Sequence, residues 1–262
     1  TEEDPYLIGS AEDLKSLGGN DIKGYYKVTN DIDMSSIQMT PIKSFGSGTF
    51  AGNGCKIENL SITSSGNTGL IAELKADAVI TGIVLENCTI TNTYGSYIGV
   101  GGIIGRVNGT GSVIENCGIA GGNLSSSATN AYVGGIIGQA NSATSISNCF
   151  STVSATSGSS TSSRVGGIVG YATSGTEIVN SYARGSLNAK SGYGGGICGY
   201  LYSSYNTSSN LTNCYTAITM EGSKNNCYSV AYCSNGYSTF DNCFYDTALS
   251  KNITENKQSG IT

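Results

Sequence analysis

Two short phrases decide the fold: residues 133–138 read Val-Gly-Gly-Ile-Ile-Gly, and residues 146–151 read Ile-Ser-Asn-Cys-Phe-Ser. The double glycine of the first phrase recurs at Gly101, Gly134, Gly166 and Gly195. An Asn-Cys or Asn-Ser step follows each copy, at Asn116, Asn148, Asn180 and Asn213. Two linked markers in near-constant phase indicate a repeated unit of about thirty residues. We expect the same step to continue the repeat at Asn87 and Asn242, with a degenerate copy at Asn59.

The segments between the markers are short runs of Ile, Val, Thr, Ser and Tyr broken by Gly and Asn, a composition that favours strands and turns. Such a unit cannot bury a core alone, so successive units must stack. Parallel stacking sets equivalent positions about 4.8 Å apart, which predicts an asparagine ladder and an internal column of cysteine and isoleucine. We therefore predict an all-β fold, a right-handed parallel β-helix (a solenoid). Its glycines should form the corners, because glycine readily adopts left-handed backbone.

The chain ends differ from the repeats, as expected where terminal strand edges must be covered. Ser10 is a candidate N-cap and Gly18-Gly19 a candidate stop, which predicts a short N-terminal capping helix over residues 11–17. Leu14 and Leu17 should face the first coil. We divide the chain into a cap with opening coils (1–62), repeated coils (63–245) and a C-terminal extension (246–262), all within one continuous solenoid.

The composition excludes several classes of function. The 262 residues carry a net charge of -5, and the 13 Lys and Arg residues are scattered singly, which argues against a nucleic-acid partner. There is no run of about 18 apolar residues, so we expect no membrane insertion by this chain. Nine cysteines form an odd set, and Ser181 fills one of the positions after asparagine. These features predict buried free thiols rather than a disulfide framework. Cys227 and Cys233 lie off the repeat, and whether they pair stays open.

The repeated phrases resemble the GLUG repeat, named for its Gly-Leu-any-Gly core, with Ile or Val here in place of Leu. Residues 30–34 (Asn-Asp-Ile-Asp-Met), 40–42 (Thr-Pro-Ile) and 50–54 (Phe-Ala-Gly-Asn-Gly) match what commonly precedes such repeats. The resemblance covers nearly the whole chain. GLUG repeats occur in adhesin-like surface proteins of Bacteroides-type gut bacteria and in non-catalytic regions of proteins labelled IgA-specific metallopeptidases.

This resemblance implies a secreted or cell-surface module rather than a reaction. We expect an adhesin or rigid display and spacer region whose partner is a host or dietary glycan or a surface protein. Residues 259–262 look like the start of a segment that continues, so further domains of a longer protein are also expected.

Catalytic groups are scarce. The chain has no histidine, which removes Ser-His-Asp and Cys-His sites and the HExxH zinc motif. We therefore expect no enzyme activity, no metal site and no cofactor. A polysaccharide lyase or glycoside hydrolase remains the alternative, because Glu115 and Glu177 occupy similar phase two coils apart, about 10 Å. Asp31 and Asp33 are interpreted as turn and strand-end hydrogen-bonding groups rather than a cation site.

Binding is better supported than catalysis. The chain has 17 tyrosines and no tryptophan. Tyrosine or arginine stands two residues before three of the double glycines, and arginine or tyrosine follows three of the phrases. The candidate ligand-binding residues are Tyr132, Arg164, Tyr193, Arg106, Tyr171 and Tyr200. If they face outward, stacking would make two stripes suited to glycans or proteins. Alternatively, these tyrosines serve only as strand formers.

Overall fold

The computed structural model describes residues 1–173, 175–222, 226–233, 237–249 and 254–255. Within these residues the chain winds as a parallel β-solenoid, and the paired strands run parallel from coil to coil. This confirms the predicted all-β parallel β-helix. Each complete coil contributes one strand to each of four columns, and the two repeated phrases mark where one column gives way to the next.

The first column contains the strands that lead into the double glycines: Ile98–Gly101, Ala131–Gly134, Arg164–Gly166, Tyr193–Gly195 and Cys227–Tyr228. The second column follows them: Ile71–Leu74, Ile104–Val107, Ile137–Ala140, Val169–Ala172, Cys198–Leu201 and Ala231–Cys233. The third column precedes the asparagine step: Ala78–Thr81, Ser112–Glu115, Thr144–Ser147, Glu177–Val179, Asn210–Thr212 and Thr239–Asp241. The fourth column comprises Ile32–Asp33, Lys56–Glu58, Ser61–Ser64, Val84–Asn92, Gly118–Ser126, Phe150–Thr156, Tyr182–Asn188, Tyr215–Glu221 and Phe244–Tyr245.

The N-terminal end is closed by three opening strands and one helix. The strands are Tyr6–Ile8, Asp21–Val28 and Ser44–Ala51. The helix spans Ala11–Ser16, and the Ser10 side chain accepts a hydrogen bond from the Asp13 backbone N–H, so the predicted cap is present. Leu14 is fully buried against the core. The division at 62 and 245 stays a prediction, and residues 250–253 and 256–262 of the predicted extension lie outside the described residues.

The corner between the third and fourth columns is made by asparagine. Asn116, Asn148, Asn180, Asn213 and Asn242 all have left-handed backbone, with φ between 49° and 55°. Asparagine tolerates this conformation better than other residues with a Cβ. Each side-chain amide from Asn148 onward donates to the Oδ1 of the previous rung, at 3.3, 3.3, 3.0 and 3.1 Å. These five residues are the asparagine ladder that the repeat predicts.

The prediction that the Asn step continues at Asn87 and Asn59 is wrong, because these residues do not lie at the corner between the third and fourth columns. Gly82 occupies the corner position of that coil, because its N–H donates to the Glu115 carbonyl. Asn59 and Asn87 lie later in the coil, where they align with Gly121 in the middle of the fourth column. Cys88 therefore lies outside the column of Cys117, Cys149, Ser181, Cys214 and Cys243.

The glycines of the repeated phrase do not form the left-handed corners that the sequence predicted. None of them has a positive φ; instead they permit the first and second columns to approach closely. A Cβ added at Gly138 would lie 2.1 Å from the Val100 nitrogen, and one at Gly134 would lie 2.0 Å from the Ile137 oxygen. Gly134 and Gly138 thus determine how closely the first and second columns pack.

We expect the asparagine ladder to contribute measurably to stability. Replacing Asn180 with alanine places an ordinary Cβ residue at φ 51° and removes the hydrogen bonds to Asn148 and Asn213. The free energy of unfolding should fall by about 2 kcal/mol. Asn180→Gly keeps the backbone relaxed and should cost less than half as much. Urea titration of both variants separates the two effects, and equal losses would contradict the left-handed corner.

Candidate ligand-binding surfaces

The six predicted binding residues lie in two rows that run along the solenoid axis. The first row places Gly99, Tyr132, Arg164 and Tyr193 in register across successive coils. The second row places Arg106, Gln139, Tyr171 and Tyr200 in register. The sequence spacing therefore predicted the neighbours within each row.

The two rows form one surface rather than two separate stripes. The rings of Tyr132 and Tyr171 have centroids 5.0 Å apart, and those of Tyr171 and Tyr200 are 5.5 Å apart. The close approach of the first and second columns at the glycines brings the rows together. We call Arg106, Tyr132, Arg164, Tyr171, Tyr193 and Tyr200, with the adjacent Tyr232, the tyrosine–arginine cluster.

Arg164 lies at the centre of this cluster. Its guanidinium carbon is 4.5 Å from the centroid of the Tyr193 ring and 4.8 Å from that of Tyr200, which are cation–π distances. Its NH1 group donates to the backbone oxygens of Thr161 and Ser163. Burial lowers the pKa of Arg164 from its ordinary value. No carboxylate of a described residue forms an ion pair with it, so the rings and carbonyls compensate the charge.

The cluster is less open than two outward stripes would be. The Tyr132 side chain is only 8% exposed, and burial raises its pKa. Arg106 donates from Nε to Gln139 and from NH2 to the Tyr97 carbonyl. Tyr171, Tyr193 and Tyr200 are half-buried. The part of the cluster open to a ligand is therefore Tyr171, Tyr193 and Tyr200, and Tyr132 is a buried supporting residue.

A second aromatic row, which was not predicted from the sequence, is more exposed than the tyrosine–arginine cluster. Phe150, Tyr182, Tyr215 and Phe244 lie in register at the start of the fourth column. Tyr182 and Tyr215 are each 40% exposed and Phe244 is 44% exposed. We call these four residues the aromatic ladder. The sequence does contain a signal for it, because each member stands two residues after a corner asparagine.

The two glutamates considered for catalysis, Glu115 and Glu177, are not in register. Glu115 pairs in register with Ser147, whereas Glu177 pairs with Ser145. The similar phase assigned to the two glutamates is thus off by two residues, and their Cα atoms are about 12 Å apart rather than about 10 Å. Glu115 also accepts a hydrogen bond from Thr81 in the preceding coil, on the side away from Glu177. No group of three or more potential metal ligands occurs in the described part of the chain.

Asp31 and Asp33 are occupied by local hydrogen bonds. Asp31 accepts from the Lys56 backbone N–H. Asp33 accepts from the Asn59 amide and from the backbone N–H and hydroxyl of Ser35, and these bonds lower its pKa. The interpretation of both residues as turn and strand-end groups agrees with this geometry.

The cysteines are free thiols, and most are buried. Cys227 and Cys233, whose pairing the sequence left open, are also free. Burial raises the pKa of Cys88 to about 12, and that of Cys227 and Cys233 to about 11. Thiols with raised pKa values are poor nucleophiles at neutral pH. The buried cysteines act as small core residues.

Comparison with known proteins gives both a motif and a fold. The GLUG motif matches residues 161–188, which include the third glycine phrase and its asparagine step. Halomucin from Haloquadratum walsbyi (strain DSM 16790 / HBSQ001) is 31% identical over 171 residues. That match covers 58% of this chain but only 2% of halomucin. In the part of the chain that the structure describes, the helix Ala11–Ser16 is too short to span a bilayer.

Two solved structures share the fold. A protein from Bacteroides ovatus described as a candidate immunoglobulin A1 protease matches with a TM-score of 0.75 and 21% identity, over 98% of this chain and 78% of that one. A structure described as IgA1 protease matches with a TM-score of 0.61 and 18% identity, over 93% of this chain and 21% of that one. The chain therefore carries the GLUG motif on a parallel β-solenoid, and the resemblance drawn from its sequence is confirmed.

Proposed function

We propose that this chain is a non-catalytic, extracellular β-solenoid module that binds host or dietary glycans or surface proteins, as an adhesin or rigid display region. The observation that carries the proposal is the register of the tyrosine and arginine side chains in the first and second columns. From Tyr132 to Tyr200, equivalent aromatic and arginine residues repeat at the coil spacing on a rigid scaffold. Repeated aromatic groups suit a ligand that is itself repetitive or extended.

The tyrosine–arginine cluster is the proposed binding surface for this role. Tyrosine and arginine are the residue types that carry much of the energy at recognition surfaces. Arg164 contacts the nearly perpendicular rings of Tyr193 and Tyr200 and donates to two backbone oxygens, so little side-chain entropy remains for a ligand to restrict. Preorganisation of this kind lowers the entropic cost of binding a ligand.

The enzyme alternative has weaker support. Glu115 and Glu177 are two residues out of register with each other. Glu115 also accepts a hydrogen bond from Thr81 in the preceding coil, on the side away from Glu177. The sequence also has no histidine to serve as a general base. A polysaccharide-degrading site would need a pair of converging carboxylates, which this face does not offer.

A role as an accessory region of a larger IgA-protease-like protein is the second candidate. It is favoured by the two fold matches, one of which spans the chain while covering 21% of the larger structure. In that arrangement the solenoid would position or present other domains. The two candidates differ in whether the isolated chain binds a ligand.

A glycan and mucin array probed with the purified chain, with product analysis on the same plates, tests the proposal. We expect saturable binding without new reducing ends or unsaturated sugars. Tyr193→Ala should weaken binding by about tenfold, because it removes one of the two rings that contact the Arg164 guanidinium. Tyr94→Ala is the matched control, since Tyr94 is 76% exposed and lies outside the cluster. Product formation would overturn the non-catalytic assignment, and absence of any binding to these glycans and mucins would overturn the glycan-binding role.

A further inference from the structure

We propose that the aromatic ladder, together with Arg184, binds a linear acidic glycan whose chain runs along the solenoid axis. The inference rests on the proposed function, and it assigns the ligand class and a surface distinct from the tyrosine–arginine cluster. Three kinds of group meet on this face: aromatic rings, side-chain amides and one unpaired guanidinium.

The rings form a row along the solenoid axis, with one ring in each of four successive coils. Successive members of the ladder are separated by one coil, about 4.8 Å, which is close to the length of one pyranose unit. Phe150 and Tyr182 are stacked, with centroids 5.5 Å apart. Tyr215 and Phe244 instead line an open depression of ≈ 290 Å³. Aromatic side walls of this kind pack against the C–H faces of sugar rings.

The amides supply hydrogen bonds at the same spacing. Asn213 and Asn242 of the asparagine ladder line the same depression as Tyr215 and Phe244. In Asn213, one N–H donates to Asn180 and Oδ1 accepts from Asn242. A carboxamide has two N–H groups and two lone pairs, so one donor and one acceptor site remain for sugar hydroxyls. The ladder bonds hold the amides in fixed orientations.

Charge selects an acidic ligand. Arg184 is exposed and lies two residues after Tyr182 on the same face. None of the ion pairs among the described residues involves it. Its neighbours in register are Thr152 and Ala217, which are uncharged. Asp246 lies further along the row, and its carboxylate accepts the backbone N–H groups of Ala248 and Leu249.

A guanidinium without a protein partner is suited to a carboxylate or sulfate, which it can bind through two parallel hydrogen bonds. The chain as a whole has a net charge of -5, so long-range attraction does not supply general affinity for polyanions. Binding of an acidic glycan should therefore depend on this local arrangement of Arg184 and the rings. A neutral glycan would use the rings and amides alone.

Titration calorimetry with polygalacturonate, hyaluronan and chondroitin sulfate, against dextran as the neutral probe, tests the assignment on the full 262-residue chain. We expect the double variant Tyr182→Ala/Tyr215→Ala to lose affinity about tenfold or more for the acidic probes. Arg184→Gln should weaken the acidic probes about fivefold or more and leave dextran unchanged. The wild type should also lose affinity as salt rises, and Arg184→Gln should lose this dependence. Thermal melts confirm that both variants fold, since all three side chains are exposed.

The variants Tyr193→Ala and Tyr94→Ala distinguish a failure of this inference from a failure of the proposed function. If acidic probes bind the ladder double variant as tightly as wild type while Tyr193→Ala loses binding, the ladder assignment is wrong and the proposed function stands. If Arg184→Gln affects neutral and acidic probes alike, the acidic assignment is wrong. If wild type binds no glycan on the array or by calorimetry, both the proposed glycan role and this inference fail. Tyr94→Ala should match wild type throughout.

Discussion

Replacing Gly138 with alanine is expected to lower the melting temperature by about 6–12 °C. The added Cβ would lie 2.1 Å from the Val100 nitrogen and 2.6 Å from the Gly99 carbonyl carbon. Both are backbone atoms of a neighbouring coil, so no rotamer change relieves the contact, and the first and second columns must separate. Overpacking of this kind costs about 3 kcal/mol, which corresponds to that shift for a chain of this size.

Gly66→Ala is the matched control. Gly66 does not have a positive φ, and an added Cβ would meet no atom within 4 Å. Its melting temperature should stay within about 2 °C of wild type. Differential scanning calorimetry of the two variants gives the comparison. If Gly138→Ala melted like Gly66→Ala, the two columns could not be as close as the structure places them, and the glycine phrase would need another explanation.

Much of this architecture follows from the repeat alone. Two markers at near-constant spacing predicted the parallel coils, the asparagine ladder and the register within each tyrosine or arginine row. The N-cap at Ser10 predicted the helix, because its residue types act locally and do not depend on the rest of the fold. Local chemistry and a strict period are what sequence alone conveys well.

The errors share a cause, which is that register depends on insertions elsewhere in the coil. Asn87-Cys88 matches Asn116-Cys117 in sequence, yet it lies five residues after the corner that Gly82 makes. Glu177 was assigned the same phase as Glu115, but Glu115 pairs with Ser147 and Glu177 with Ser145. A shift of this kind leaves the sequence pattern intact while changing every neighbour. Only the strand pairing shows it.

The roles of the glycines and of Tyr132 also lay beyond the sequence. Glycine serves both left-handed corners and close backbone approach, and spacing cannot distinguish them. The structure assigns the corner to asparagine and the close approach to the glycine phrase. That approach is what brings the two rows together and buries Tyr132. One packing distance thus decides which candidate residues a ligand can reach.

Both isoleucines of the phrase are expected to be essential to the core, which a regular strand would not allow. In a strand, adjacent side chains face opposite sides, so only one of Ile136 and Ile137 should be buried. In the structure both are fully buried. The reason is a corner between them, where their two N–H groups donate to the same carbonyl, that of Ile168, at 2.9 and 3.0 Å.

Ile136→Ala and Ile137→Ala should therefore each lower the free energy of unfolding by about 2–5 kcal/mol, the usual cost of a cavity at a buried aliphatic site. Val113→Ala is the control, because Val113 is a half-buried aliphatic residue in the third column and should cost under about 1 kcal/mol. Guanidinium titration of the three variants measures the difference. A large loss at only one isoleucine would mean that the strand alternates through the phrase without a corner. Equal large losses would place the turn of the chain between Ile136 and Ile137, where the paired hydrogen bonds to Ile168 locate it.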